Sequence, residues 1–451
     1  MNANIRLGTR KDELQRISAC MLGAVAPATL AHEAVLAMEM GLLREGWPVG
    51  QSLGALPEVR KHLGLGRPAF REALTILEAR GLLDVRRGPG GGLFVAAPSL
   101  EDVASAVLMH LALAGETHAC IDEFRLLVWR MIVNAAIERR VSPDPCGASP
   151  GQWGFAADLA EQVGNPTMGL LARLAEMLIR ISHGEEAPAR NRALDAAIKR
   201  GDVAKAFKCV DELAGPVNHD APIVTFEVAE RGFSLSGRKS AMALAARMAH
   251  ELSGRPGTQE AEWETAERLG YTDAIVRQAR RILQDFGIVR CRQGRKGAEL
   301  APPAAPTGVI RLLAPCLAAS ATSPLDNREA LSFLVSCTPV LAARRVQCAG
   351  SAPVRRFASS SSPDAFEALT LENLLLDLSG NPLLAIVVRS LGLAIFVAGD
   401  RLIPPDRYDV IAINRRILQA IEAGDVGAAA VLAKVKLDVM QRPADSYREV
   451  A

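Results

Sequence analysis

The sequence predicts a mainly α protein built as a tandem repeat, each half a small helical module closed by a hairpin and followed by an all-α helical bundle. Three observations carry this. Gly64-Leu65-Gly66-Arg67-Pro68-Ala69-Phe70-Arg71-Glu72-Ala73-Leu74, running to Gly81 and then Arg86-Arg87-Gly88 and Gly91, returns as Gly270-Tyr271-Thr272-Asp273-Ala274-Ile275-Val276-Arg277-Gln278-Ala279-Arg280, running to Gly287, Arg292-Gln293-Gly294 and Gly297, at a constant offset of 206 positions. The intervening segments repeat as well: Gly164-Asn165-Pro166 matches Gly380-Asn381-Pro382, and Ala197 to Val203 matches Ala420 to Val426. Alanine and aliphatic residues dominate while aromatic residues make up only 4% of the chain, which favours helices packed on helices. A repeat of this size sets the architecture before any single element does.

The elements follow in order. Residues 1–26 read as a polar extension. A first module, 27–98, opens with a helix over Ala28–Leu43 whose Leu30, Ala34, Ala37, Met38 and Leu42 share a face. A second helix is expected near Leu53–Leu63 and a third over Pro68–Arg80, where Phe70, Ala73, Leu74 and Leu77 make one apolar stripe and Gly81 supplies the stop. Leu82–Arg86, the glycines to Gly92, and Leu93–Ala96 read as strand, turn and strand. Residues 99–230 read as a bundle of about six helices, broken at Gly115, at Ser142–Pro145, at Gly164-Asn165-Pro166 and at Gly201-Asp202. Pro222–Ser236 reads as a joint. The second module spans 231–301, and the second bundle, 302–451, follows the proline-rich run Pro302–Pro306. Its longest irregular stretch is expected at Cys348–Pro363.

At 451 residues the chain suits two to four domains, and its net charge of +2 does not by itself announce a nucleic-acid partner. Eight cysteines without a C-x-x-C pair fit a reduced, cytoplasmic setting. The apolar stretch Ile17–Ala28 is too short and too acidic in its flank for a secretory signal. Val387–Ala398, interrupted by Arg389 and Ser390, is a buried bundle helix rather than a membrane span, so no membrane partner is expected. There is no nucleophile placed with a base and no phosphate loop, so an enzyme is not expected.

Local charge is more informative. Arg67 and Arg71 lie at i and i+4, one position off the apolar stripe, and so project together from the exposed side of the third helix. In the second module Arg277, Arg280, Arg281 and Gln284 form the corresponding stripe. From Arg60 to Arg87 seven Lys or Arg face three acids, and from Asp273 to Gly297 seven face two. A single-striped helix followed by a basic, glycine-tipped hairpin is the arrangement of a winged helix-turn-helix, in which the helix fits the major groove and the hairpin straddles the adjoining backbone. The expected DNA contacts are Arg67, Arg71, Arg86, Arg87 and Gly90 in the first module, and Arg277, Arg280, Arg281, Arg292 and Arg295 in the second.

Residues 27–98 resemble the winged-helix domain of GntR-type transcription regulators. The carriers are Arg67-Pro68-Ala69-Phe70-Arg71-Glu72-Ala73-Leu74, Leu77-Glu78-Ala79-Arg80-Gly81-Leu82-Leu83 and Gly88-Pro89-Gly90-Gly91-Gly92-Leu93-Phe94-Val95. The bundles resemble the helical effector and dimerisation (FCD-type) domain of the FadR-like subgroup through their G-N-P and A-I-x-x-G-D segments. The resemblance implies a sequence-specific DNA-binding transcription regulator, with double-stranded operator DNA as partner and a small molecule as effector. One chain would supply both halves of a pseudo-dimer, and a homodimer of such chains is also open. The alternative is a regulator-derived interaction scaffold with vestigial DNA binding.

Departures from the family pattern carry their own expectations. The second-helix arginine of the family is matched by Pro57 and Trp263, and Arg67 is replaced by Asp273 in the second module. An imperfect operator follows, since a carboxylate repels phosphate where an arginine attracts it. The family's metal-binding histidine positions fall on Ala156, Asn191 and Leu213, and on Glu372, Asn414 and Lys436, so neither a metal nor another cofactor is expected. Asn191 and Asn414 remain as amides that could contact an effector, or that cap helices or pack.

Overall fold

The computed structural model describes residues 22, 30–143, 153–185, 188–189, 191–236, 241–254, 261–291, 298–301, 305–321, 323–349, 367–397 and 407–441. The protein is mainly helical. The first module consists of α1 (Leu30–Arg44), β1 (Ser52–Gly54), α2 (Leu56–His62), α3 (Arg67–Ala79), β2 (Leu83–Arg86) and β3 (Gly92–Val95). Phe70, Ala73, Leu74 and Leu77 are buried along α3, and α1 buries Val35, Met38 and Leu42. Trp47 closes the turn after α1, its indole N–H donating to the Ala96 carbonyl at 2.7 Å.

The second helix starts at Leu56, later than its apolar pattern suggests. Ser52–Gly54 instead pairs antiparallel with β3, giving the sheet order β1-β3-β2. Gly54, at φ +104°, and Pro57 in the first helical turn mark the switch from strand to helix. Between β1 and β3 the backbones approach so closely that a Cβ on Gly92 would stand 2.6 Å from the Gly54 carbonyl oxygen. Gly92→Ala is therefore expected to cost about 1–3 kcal/mol of backbone strain, read as a lower urea midpoint with an unchanged slope; an unchanged midpoint would refute the close approach.

The bundle of the first half contains α4 (Leu100–Ala114), α5 (Ala119–Glu138), α6 (Gly154–Val163), α7 (Pro166–His183), α8 (Arg192–Arg200), α9 (Val203–Ala214) and α10 (Phe226–Ser236). The second half contributes α11 (Ala241–Gly254), α12 (Glu262–Leu269), α13 (Asp273–Asp285), β4 (Val289–Cys291), β5 (Ala298–Leu300), α14 (Thr307–Ser320), α15 (Pro324–Ala349), α16 (Glu367–Ser379), α17 (Pro382–Val397), α18 (Arg407–Glu422) and α19 (Val426–Gln441). The expected joint around residue 230 is the middle of α10. Phe226, Val228 and Ala229 are buried there, and a Cβ on Gly232 would stand 3.0 Å from the side chains of Ile181 and Ser105. Leu22, in the expected polar extension, is buried, and its carbonyl accepts from the Thr307 hydroxyl. The tip of the second hairpin, residues 302–304 and the stretch 350–366 lie outside the described residues.

The repeated bundle signatures are helix stop and start signals. Gly164 and Gly380 take left-handed φ of 74° and 62°, ending α6 and α16. The following Asn165 and Asn381 cap the next helices, their amide oxygens accepting from Met168 N–H at 3.1 Å and Leu384 N–H at 2.9 Å, with proline as first helical residue. Gly201-Asp202 and Gly424-Asp425 work the same way: Asp202 accepts from Lys205 N–H and Asp425 from Ala428 N–H.

The chain folds into two compact units that do not follow chain order. One comprises residues 1–121, 173–187 and 217–320, the other residues 122–172, 188–216 and 321–451. The first unit thus contains both hairpin modules. In it α3 packs on α13, α1 on α14 and, reciprocally, α11 on α4. The second unit holds most of both bundles and shows the same reciprocity. Arg139 bonds to the Val163 carbonyl and, at 2.6 Å, to Glu329, while Arg345 bonds to the Ser379 carbonyl at 2.6 Å and pairs with Glu123 at 3.7 Å. The asparagine side-chain amides complete both networks: Asn165 donates to Glu329 at 2.8 Å and Asn381 to Glu123 at 2.7 Å.

Candidate nucleic-acid interface

The first module presents its arginines at the start of α3. Gly66 enters in extended conformation, Arg67 is the first helical residue, and Pro68 sets the first turn. The guanidinium of Arg60 donates to the Leu65 carbonyl at 3.0 Å and so ties the end of α2 to the turn before α3. Arg67 and Arg71 are both exposed, and neither side chain makes a hydrogen bond or ion pair among the described residues. Free guanidinium groups on an exposed helix start are available to an external anion.

On the hairpin, Arg86 pairs with Asp84 at 3.0 Å and lies 4.0 Å above the Phe94 ring, so its position is held by two neighbours. Arg87 and Gly90 are exposed at the tip, where Gly90 has φ +75°. Between α3 and the hairpin runs a groove of about 620 Å³ lined by Arg71, Thr75, Glu78, Arg86 and Arg87. Burial pushes the Glu78 carboxyl up from its ordinary pKa, with the Asp84 charge adding to the rise, against a Val85 backbone hydrogen bond and the Arg87 charge.

The second module differs in kind. Arg280, expected on the exposed stripe, is buried at 8% exposure, and its guanidinium donates to the Thr265 hydroxyl at 3.2 Å. Arg277 is exposed but pairs with Glu262 at 3.1 Å, and Arg281 is half-buried and reaches Glu72 on α3 at 3.6 Å. The stripe fails because α13 is covered on two sides, by α12 and by α3, whereas spacing alone marks only the side that faces its own module's core. Arg292 and Arg295 lie outside the described residues.

The C-terminal ends of α3 and α13 meet in a buried cluster of four charges. Arg80 pairs with Glu39 at 2.7 Å and Asp285 at 3.2 Å; Arg311 pairs with Glu39 at 2.7 Å and Asp285 at 3.2 Å, and all four side chains are at most 9% exposed. A further bond runs from Arg80 to the Gly308 carbonyl at 3.2 Å. Burial raises the Asp285 carboxyl and the two guanidinium charges more than offset it, so its pKa lies below the ordinary carboxylate value. Sequence reasoning missed this cluster, because its members are scattered from position 39 to position 311 and no local pattern joins them.

The two asparagines suggested for an effector sit in different surroundings. Asn191 caps α8, accepting from Leu194 N–H at 2.8 Å. Asn414 is fully buried in the second bundle, and its amide donates to Glu372 at 2.8 Å while Lys436 donates to the same carboxylate at 2.6 Å. The three positions matched to the family's metal site in the second bundle therefore do converge, with the amide N–H of Asn414 and the ammonium of Lys436 both donating to the Glu372 carboxylate, while the Asn414 amide oxygen is buried without a hydrogen-bond partner among the described residues.

No helix among the described residues is long and apolar enough to cross a membrane. No family model matches the chain. No curated protein matches it either. Among solved structures, the chain is similar to Streptococcus agalactiae GntR at 19% identity, over 45% of this chain and 100% of that one, with a TM-score of 0.30.

Proposed function

We propose that the protein is a GntR-like DNA-binding transcription regulator in which one chain supplies both halves of a pseudo-dimer, and in which α3 and the hairpin of the first module read the DNA. The observation that carries the DNA reading is the pair of free, exposed guanidinium groups of Arg67 and Arg71 at the start of a single-striped helix, beside a basic glycine-tipped hairpin. The pseudo-dimer reading is supported by the reciprocal networks Arg139–Glu329 with Asn165 and Arg345–Glu123 with Asn381, each half holding a glutamate of the other. With Asn191 engaged as a cap and Asn414 in the core, no effector is assigned to either.

The reading also changes the operator. Helices in contact lie about 8–10 Å apart, against about 34 Å between helices that read successive major grooves. Because α3 and α13 touch through Glu72 and Arg281, the operator is expected to be one compact site rather than two half-sites a turn apart. Selection of bound fragments from genomic DNA, followed by hydroxyl-radical footprinting, tests this. A single short protected tract is expected; two tracts about 10 base pairs apart, or no selected sequence, would overturn it.

A further inference from the structure

The sixteen positions from Leu56 to Arg71 and those from Glu262 to Arg277 occupy corresponding elements, α2–α3 and α12–α13, yet their charge is reversed. The first carry Arg60, Lys61, Arg67 and Arg71 against Glu58; the second carry Glu262, Glu264, Glu267 and Asp273 against Arg268 and Arg277. Both of those arginines are engaged, Arg277 by Glu262 at 3.1 Å and Arg268 by Glu251 at 2.6 Å. Glu264 accepts from the Ala261 N–H at 2.7 Å. That leaves Glu267 and Asp273 exposed, with no side-chain hydrogen bond or ion pair among the described residues.

Beside these carboxylates stands Trp263, 60% exposed, whereas Trp47 and Trp129 are at 1% and 0%. Trp263 and Glu267 lie four positions apart on α12 and so share a face of that helix. A large aromatic side chain left in water is a binding anchor in waiting. Its π face attracts a cation, and flanking carboxylates add charge-assisted hydrogen bonds to ammonium or guanidinium groups. The same carboxylates repel DNA phosphate.

We propose that the α12–α13 face of the second module docks a lysine- or arginine-rich segment of a partner protein, with Trp263 as the anchor and Glu267 and Asp273 as its acidic rim. The corresponding face of the first module, basic and without an exposed tryptophan, is left to DNA. The two modules thus take partners of opposite charge.

The test uses the full chain and a fluorescein-labelled peptide of alternating arginine and glycine, followed by anisotropy, with a glutamate–glycine peptide as control. Saturable binding that weakens with salt is expected, reduced roughly tenfold by Trp263→Ala and to a similar extent by the double variant E267K/D273K, and unchanged in Arg71→Ala. Trp263→Phe should keep most of the affinity. Peptide binding that is equal in wild type, Trp263→Ala and E267K/D273K would overturn the proposal. So would loss of DNA binding in Trp263→Ala, since that assigns the face to DNA. Peptide binding by a chain that binds no DNA would support docking here while rejecting the DNA reading of the first module.

Discussion

Replacing Arg311 by Leu is expected to lower the unfolding free energy by about 3–5 kcal/mol, the range for removing one partner from a buried ion pair. The substitution leaves Glu39 and Asp285, both buried, sharing Arg80 alone. Arg311 is bonded to Glu39 through two nitrogens, at 2.7 and 3.1 Å, so Glu39 loses more than a single contact. Urea unfolding at neutral pH measures the effect, and a loss under about 1 kcal/mol, the range of an exposed pair, would show that the cluster does not hold the ends of α3 and α13 together. Replacing all four members by apolar residues of similar volume should recover much of the loss, because the desolvation cost of the charges then disappears.

The same cluster sets a pH dependence. The folded pKa of Asp285 lies below its unfolded value, so its contribution is fully present above the ordinary carboxylate pKa and is lost as pH falls through the folded value. The wild type should therefore lose stability on acidification more steeply than a variant lacking Asp285.

Arg71→Ala is expected to weaken operator binding by about 1–3 kcal/mol, the range of a base-reading arginine. Arg277→Ala, at the corresponding place in the second module, should change it by less than about 0.5 kcal/mol, the scale of an ordinary surface substitution. The difference follows from pairing, since Arg71 is free and Arg277 is held by Glu262. A gel-shift series over several salt concentrations checks both, because phosphate contacts show as a change in the salt slope and base contacts do not. Equal losses in the two variants would mean that both modules read DNA alike and would remove the asymmetry.

Much of the first module was legible in the sequence because its signals are local. The apolar stripe Phe70, Ala73, Leu74 and Leu77 has helical spacing, and the glycines from Gly88 to Gly91 mark the turn before β3. The strand Ser52–Gly54 was not legible, since its leucine and small residues suit a helix equally and its partner β3 lies about forty positions away. The family resemblance offered Asn414 as an amide that could contact a ligand or pack, but its amide donates to Glu372 of α16, the same carboxylate that the buried Lys436 of α19 reaches.

What the sequence by itself determined is the punctuation of its helices. Glycine at a left-handed position, asparagine or aspartate at a helix start and proline after it act through backbone sterics and one local hydrogen bond, so they need no tertiary partner to be recognised. Which arginines remain free was decided only by the tertiary structure. Arg71 and Arg277 occupy the same position in their helices, and what separates them is an acid at Glu262 where the first module has Leu56. Arg280 is lost from the surface because α13 packs against α12, and Arg281 is drawn to Glu72 because α13 also packs on α3. Periodicity reports the face a helix turns to its own core; a second covered face, contributed by the other half of the chain, leaves no mark on it.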